Sequence, residues 1–335
     1  MPTKKEHFVP RGYLKLFAID PHTDNPFIHQ IDLEDKIPAG EVPVKSVCYK
    51  NNLYEIYNGD GAIVAVNLIE NTLKQSEDAF YACRNNLLNS YFVRSKQSLL
   101  SSQELEDITQ MIALQILRLE EVLSVSKEMM TTLTNLPATT PLLHDFMSKL
   151  MLLPMALDFS SIPMTKEWKQ IKRWSENPPL LSRIKKHLKE LSCCLGHVKT
   201  KELLTCDRPV IIRTAHEDVF DFVIYPLSPQ HVLYFYTANC PFPHTKNSVF
   251  ELTPAELQFA NEVIIANADR WVYSHKKLSN KFINSVKQKR KDLHTHAIKK
   301  NNVRYVFNSR SEVQTKRNLS NAKRNIGYTK NYSRR

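Results

Sequence analysis

The chain of 335 residues is long enough to bury one large core or two modest ones without metal or disulfide staples, and its 42% apolar and 24% charged residues are ordinary for a globular protein. Six glycines and the absence of G-x-x-x-x-G-K-S/T and G-x-G-x-x-G exclude the usual nucleotide cradles. The net charge of +12 is concentrated at one end: from Lys276 to Arg335 there are 18 Lys and Arg against 2 acids, so the rest of the chain is mildly acidic.

Residues 1–20 mix charged with apolar residues and hold no signal-peptide core, and no run reaches the ~18 apolar residues of a membrane span. A cytoplasmic protein with no membrane partner is expected. The six cysteines form no C-x-x-C pair and read as reduced thiols.

In chain order, E-H-F-V-P-R-G-Y-L (Glu6 to Leu14) reads as a short segment presenting His7 to the body, with Pro10 and Tyr13 fixing it and Leu14 and Phe17 pointing inward. The alternation Phe27 to Leu33 predicts an edge or half-buried strand, and Pro38 and Pro43 frame the connection that follows. From Val64 the apolar residues Ile69, Leu73, Phe80, Leu87 and Leu88 recur with helical spacing. Ser101 or Ser102 offers an N-cap for a second long helix that runs toward Met130. Further helices are expected over Pro141 to Leu153 and over Pro179 to Leu195, the latter ended by Gly196.

Short β-rich runs then follow at 202–207, 209–213, 220–226 and 232–236, predicting a small, mostly antiparallel sheet, and a last amphipathic helix spans Pro254 to about His275. The fold class is therefore α+β, with long helices packed on that sheet. One globular domain is expected over residues 1–276, followed by a flexible basic tail over 277–335. That tail carries Lys287, Lys289, Arg290 and Lys291 with Tyr and Phe interleaved among later basic pairs. It suits phosphate neutralisation and stacking on unpaired bases, and equally a solvated tail without a specific ligand.

Four groups of motifs carry a resemblance: H-F-V-P-R-G-Y-L, then I-E-N-T-L-K-Q-S-E-D-A-F, then I-A-L-Q-I-L-R, and finally T-C-D-R-P-V with Y-P-L-S-P and N-E-V-I-I-A-N-A-D-R-W-V-Y-S. In order and spacing they resemble the bacterial domain of unknown function 4238 family over about residues 5–276. The resemblance implies a compact cytoplasmic protein but no established activity. Family members resemble cargo of mobile elements and defence neighbourhoods, which implies a toxin or phage-defence effector. Where the family commonly carries Ser-Asp-Asn-Pro, this chain has Cys206-Asp207-Arg208-Pro209, so a role for that Ser or Asn is not carried over.

Within the motifs, His7 suits proton transfer or metal binding, or simply a hydrogen bond to a carbonyl. Glu70 and Glu77, one heptad apart on one helical face, suit a divalent cation or divided acid and base roles, or a solvated face. Gln115 and Arg118 interrupt an apolar run and need partners. Arg118 can bridge to Glu70 or Asp207, or grip a phosphate. Asp207 stands at a strand end or turn, either lining a cleft or accepting from local amides. No histidine set has zinc spacing.

The expected function is a nuclease-like effector on nucleic acid. His7, Glu70, Glu77 and Asp207 would be its catalytic set. Glu70, Glu77 and Asp207 would be ligands of Mg²⁺, and Tyr13, Gln115, Arg118 and the tail cations would hold substrate. The alternative is a non-catalytic nucleic-acid-binding or sensing module, and a small-molecule enzyme stays open.

Overall fold

The computed structural model describes residues 5–57, 63–94, 98–119, 179–216, 219–240 and 242–288, with Leu123 and Lys169. The expected helix over Pro141 to Leu153 lies outside these residues, as does most of the extension of the second long helix toward Met130.

The N-terminal part is built of short strands: β1 (Lys5–His7), β2 (Phe27–Asp32), β3 (Gly40–Pro43), β4 (Tyr49–Asn51), β5 (Ile56–Tyr57) and β6 (Ile63–Ala65), with a one-turn helix, α1 (Arg11–Lys15), after β1. Two long helices follow, α2 (Leu68–Ser90) and α3 (Ser102–Leu117). A short helix, α4 (Pro179–Glu190), leads into β7 (Ser192–His197), β8 (Thr205–Cys206), β9 (Ile211–His216), β10 (Val219–Ser228), β11 (His231–Tyr236) and β12 (Val249–Glu251). Helix α5 (Pro254–Asn267), strand β13 (Trp271–Ser274) and a helical turn pair over 280–288, α6, complete the described chain.

The fold is α+β. A five-stranded sheet has the order β12-β7-β11-β10-β9, antiparallel except where β12 runs parallel to β7. A four-stranded antiparallel sheet, β3-β2-β13-β8, joins strands from opposite ends of the chain. Alternation along β10 divides the core, because successive side chains leave a strand on opposite faces. Val223 and Tyr225 pack with α2, α3 and α4, whereas Phe222 and Ile224 pack with α5, β2 and β13.

Helix α3 starts where the sequence places it. Ser101 and Glu104 form a reciprocal capping box, and Arg94 grips the Glu104 carboxylate at 2.6 and 2.7 Å. Its second half, Met111 to Leu117, is buried on every side, so α3 is a core helix and not an amphipathic one. Thr253 and Glu256 cap α5 in the same way, with Pro254 in its first turn.

Two helix boundaries differ from expectation. The run after Leu191 is strand β7, in register with β11 from Ser192–Tyr236 to His197–His231. Gly196 ends no helix; it sits inside β7, where an added Cβ would stand 2.4 Å from Leu252 Cδ1 and 3.1 Å from the Tyr234 ring. Similarly, the last helix stops at Asn267, and Trp271–Ser274 forms a strand between β2 and β8. Both runs are short, apolar and ambiguous in period, and sheet partners distant in sequence decide them. The packed chain also extends beyond 276: Val286 of α6 is buried against the α5 core, and Lys287 pairs with Asp35.

All six cysteines are buried thiols. The close approach at Gly196 generates a test. Gly196→Ala is expected to lower stability by about 1–3 kcal/mol through overpacking, read as a fall in the denaturation midpoint, while an alanine at exposed Gly40, which meets nothing within 4 Å, leaves it nearly unchanged.

Candidate functional site

The N-terminal segment is held by its backbone. Strand β1 pairs with β4, His7 opposite Tyr49, and the Phe8 amide donates to the Cys48 carbonyl at 2.9 Å. Pro10 opens α1, and Tyr13, Leu14 and Phe17 are fully buried. Gly12 is required by a close approach: a Cβ there would meet the Tyr81 ring at 2.4 Å. Its carbonyl accepts from Arg84 Nη1 at 3.2 Å, and the Arg84 guanidinium lies over the Tyr81 ring at 5.0 Å.

Beneath this segment lies a polar cluster centred on Arg118. The residue closes α3 and has no exposed surface. Its Nη1 forms an ion pair with Glu77 Oε1 on α2 at 2.7 Å, and its Nε and Nη2 have no hydrogen-bond partner among the described residues. Tyr81 donates its hydroxyl to the other Glu77 oxygen at 3.2 Å. One turn earlier on α3, Gln115 is 2% exposed and, among the described residues, both of its amide atoms lack a partner, as does the buried hydroxyl of Tyr225.

Electrostatics tie His7 and Glu70 to the same cluster. Burial, with repulsion from Arg11, Lys5 and Arg118, lowers His7 to about 4, so the imidazole is neutral at physiological pH, and among the described residues its buried Nε2 has no hydrogen-bond partner. Burial and then the Glu77 charge push the Glu70 carboxyl upward, against the pull of Arg118. His7 and Glu70 thus both lie within the electrostatic reach of Arg118, which pairs with Glu77.

Asp207 is placed elsewhere. Its carboxylate accepts from the amides of Asp269, Arg270 and Trp271 at 2.8, 2.8 and 3.0 Å, anchoring the turn before β13. Burial nevertheless outweighs these donors and raises it to about 6. With both oxygens on backbone amides, Asp207 does not join Glu70 and Glu77 in a metal centre, and among the described residues no group of three or more His, Cys, Asp or Glu is placed to hold a metal ion. The donor set expected for Mg²⁺ does not assemble.

Tyr13 is enclosed, its hydroxyl 2.9 Å from Thr205 Oγ1 and its ring stacked on Tyr225 at 5.5 Å. This position serves packing and offers no surface to a substrate. Of the tail cations, Lys287 is spent on Asp35, and Lys289, Arg290 and Lys291 lie outside the described residues. Sequence reasoning missed Glu6 and Glu55, both fully buried. Glu6 accepts from the Tyr54 amide at 2.6 Å, and Glu55 accepts from the Asn67 amide at the start of α2 at 3.1 Å, where a carboxylate also complements the helix dipole. Their only signal is acidity beside aromatic residues in the N-terminal segment.

Two tests follow from this geometry. Asp207→Ala strands three backbone donors and is expected to cost about 3 kcal/mol or more, measured by chemical denaturation. For His7, the unfolded chain binds a proton below the ordinary 6.5 while the folded chain resists until about 4. The stability this contributes is complete above pH 6.5 and is lost as pH falls toward 4. His7→Gln should flatten the melting temperature over that window, leaving the opposed slopes of His231, lowered to about 4 by burial, and of Asp207, raised to about 6 by burial.

No curated protein and no solved structure matches the chain. Residues 5–278 match the family described as Protein of unknown function (DUF4238), a span that takes in β1, the Arg118 cluster, the Asp207 turn and β13; the chain belongs to that family.

Proposed function

We propose that the protein is a nucleic-acid-directed effector that cleaves phosphodiesters without relying on a Glu70–Glu77–Asp207 metal centre. What supports this reading is a neutral His7 whose buried Nε2 has no partner among the described residues, a Glu70 pushed toward its protonated form, both within the electrostatic reach of Arg118, and unmet donors on Gln115 and Arg118 among the described residues. Buried donors left unmade are costly, and such groups gathered in one place suit a ligand that supplies acceptors.

In this chemistry His7 Nε2 takes the proton of the attacking hydroxyl, and Glu70 returns a proton to the leaving oxygen. Arg118 and Gln115 stabilise the negative charge that builds on phosphorus-bound oxygens, an effect strengthened by the low-dielectric surroundings. Glu77 and the Tyr81 hydroxyl hold the guanidinium in place. The cationic segment after Lys276 supplies sequence-independent attraction for the polymer.

A second reading, a binding module whose polar cluster only ties β1 to α2 and α3, is favoured by the complete burial of Arg118. The two are separated by assaying wild type, His7→Ala and Glu70→Gln on single- and double-stranded DNA and RNA. The catalytic reading expects a loss of roughly 10²-fold or more from either variant, with melting temperatures near wild type above pH 6.5. Equal background cleavage by all three proteins, or a loss that tracks unfolding, assigns the cluster to structure.

A further inference from the structure

A cleft of about 690 Å³ lies between β4 and the turn into β13, lined among others by Phe8, Tyr49, Asn51 and Trp271. Its volume is that of a small-ligand site. None of its lining belongs to the His7, Glu70, Gln115 and Arg118 set, although Phe8 and Leu119 on its wall adjoin His7 and Arg118 in the chain.

Three kinds of group meet on this wall. Phe8, Tyr49 and Trp271 are partly exposed rings, and the Arg270 guanidinium lies 4.2 Å over the Trp271 ring. That guanidinium is fixed by two bonds to Asp32, at 3.0 and 2.7 Å, so ring and cation form a rigid stack. The side-chain amides of Gln30 and Asn51 and the indole N–H of Trp271 make no hydrogen bond among the described residues. Finally, Lys50, Arg208 and Arg270 line the cleft against two acids. Asp207 is occupied by backbone amides, and Asp269 stands 3.4 Å from Arg208.

A flat stack, uncommitted amide and indole groups and cationic side chains on the lining match the face, edge and phosphate of a nucleotide whose base is unpaired. We propose that this cleft receives one such nucleotide, belonging to a single strand or free as a mononucleotide. A duplex offers neither an open base face nor a free pairing edge. The inference rests on the reading above only for its choice of nucleic acid, and it narrows that substrate to single strands.

The test uses the full chain and a labelled single-stranded oligonucleotide of about eight nucleotides, a duplex of the same length, and adenosine and uridine monophosphates as competitors. The single strand should bind at least about tenfold more tightly than the duplex, and Asn51→Ala and Lys50→Glu should each weaken it by about tenfold. Asn51 and Lys50 are exposed, so both variants should melt as wild type does. A wild-type protein that binds in this way yet cleaves nothing sinks the catalytic reading and leaves the cleft assignment standing. Displacement by a monophosphate, lost in Lys50→Glu, identifies the free nucleotide as an occupant. Cleft variants that bind both probes like wild type, a duplex bound as tightly as the single strand, or no binding of either probe would overturn the proposal.

Discussion

The contact between Arg118 and Glu77 constrains everything around it. A guanidinium with no exposed surface has lost its hydration, and the cost of several kcal/mol is offset only by a nearby opposite charge and by polar neighbours. Glu77 therefore fixes the register of α2 against α3. Tyr81 must reach Glu77, which brings its ring against Gly12 and so determines where α1 can lie. The position of α1 follows from where one charge was buried.

The same burial gives the cluster its chemical character. Low dielectric keeps His7 neutral and moves Glu70 toward its acid form, and it makes the unspent N–H groups of Arg118 more attractive to an anion than they would be in water. Asp207 provides a contrast within the same chain. It too is buried and has a raised pKa, but both of its oxygens are engaged by backbone amides. A perturbed carboxylate marks a site only where its oxygens remain available.

Much of this was readable from residue order alone. The capping box at Ser101, the apolar spacing of α2 and the proline start of α5 are local signals, and each lies where the structure has it. Gln115 and Arg118 stood out as polar groups in an apolar run, but the expected bridge from Arg118 to Glu70 or Asp207 is made to Glu77 instead. What was not readable depends on distant pairing. Residues 192–197 and 271–274 become strands because β11, β2 and β8 lie beside them, and Glu6 and Glu55 become buried anchors because Tyr54 and Asn67 face them. Asp207 was drawn toward the carboxylates by its chemistry, whereas the amides that claim it lie 62–64 positions onward.

Strand β13 lies between β2 and β8, and the Tyr273 hydroxyl reaches Cys48 beside the His7 segment. A nascent polypeptide must therefore emerge from the ribosome through residue 274 before β2 acquires its second neighbour. Synthesis and maturation are thus separated in time: the four-stranded sheet is completed last, after nearly the whole body has been translated, as expected where contacts join the extremes of a chain.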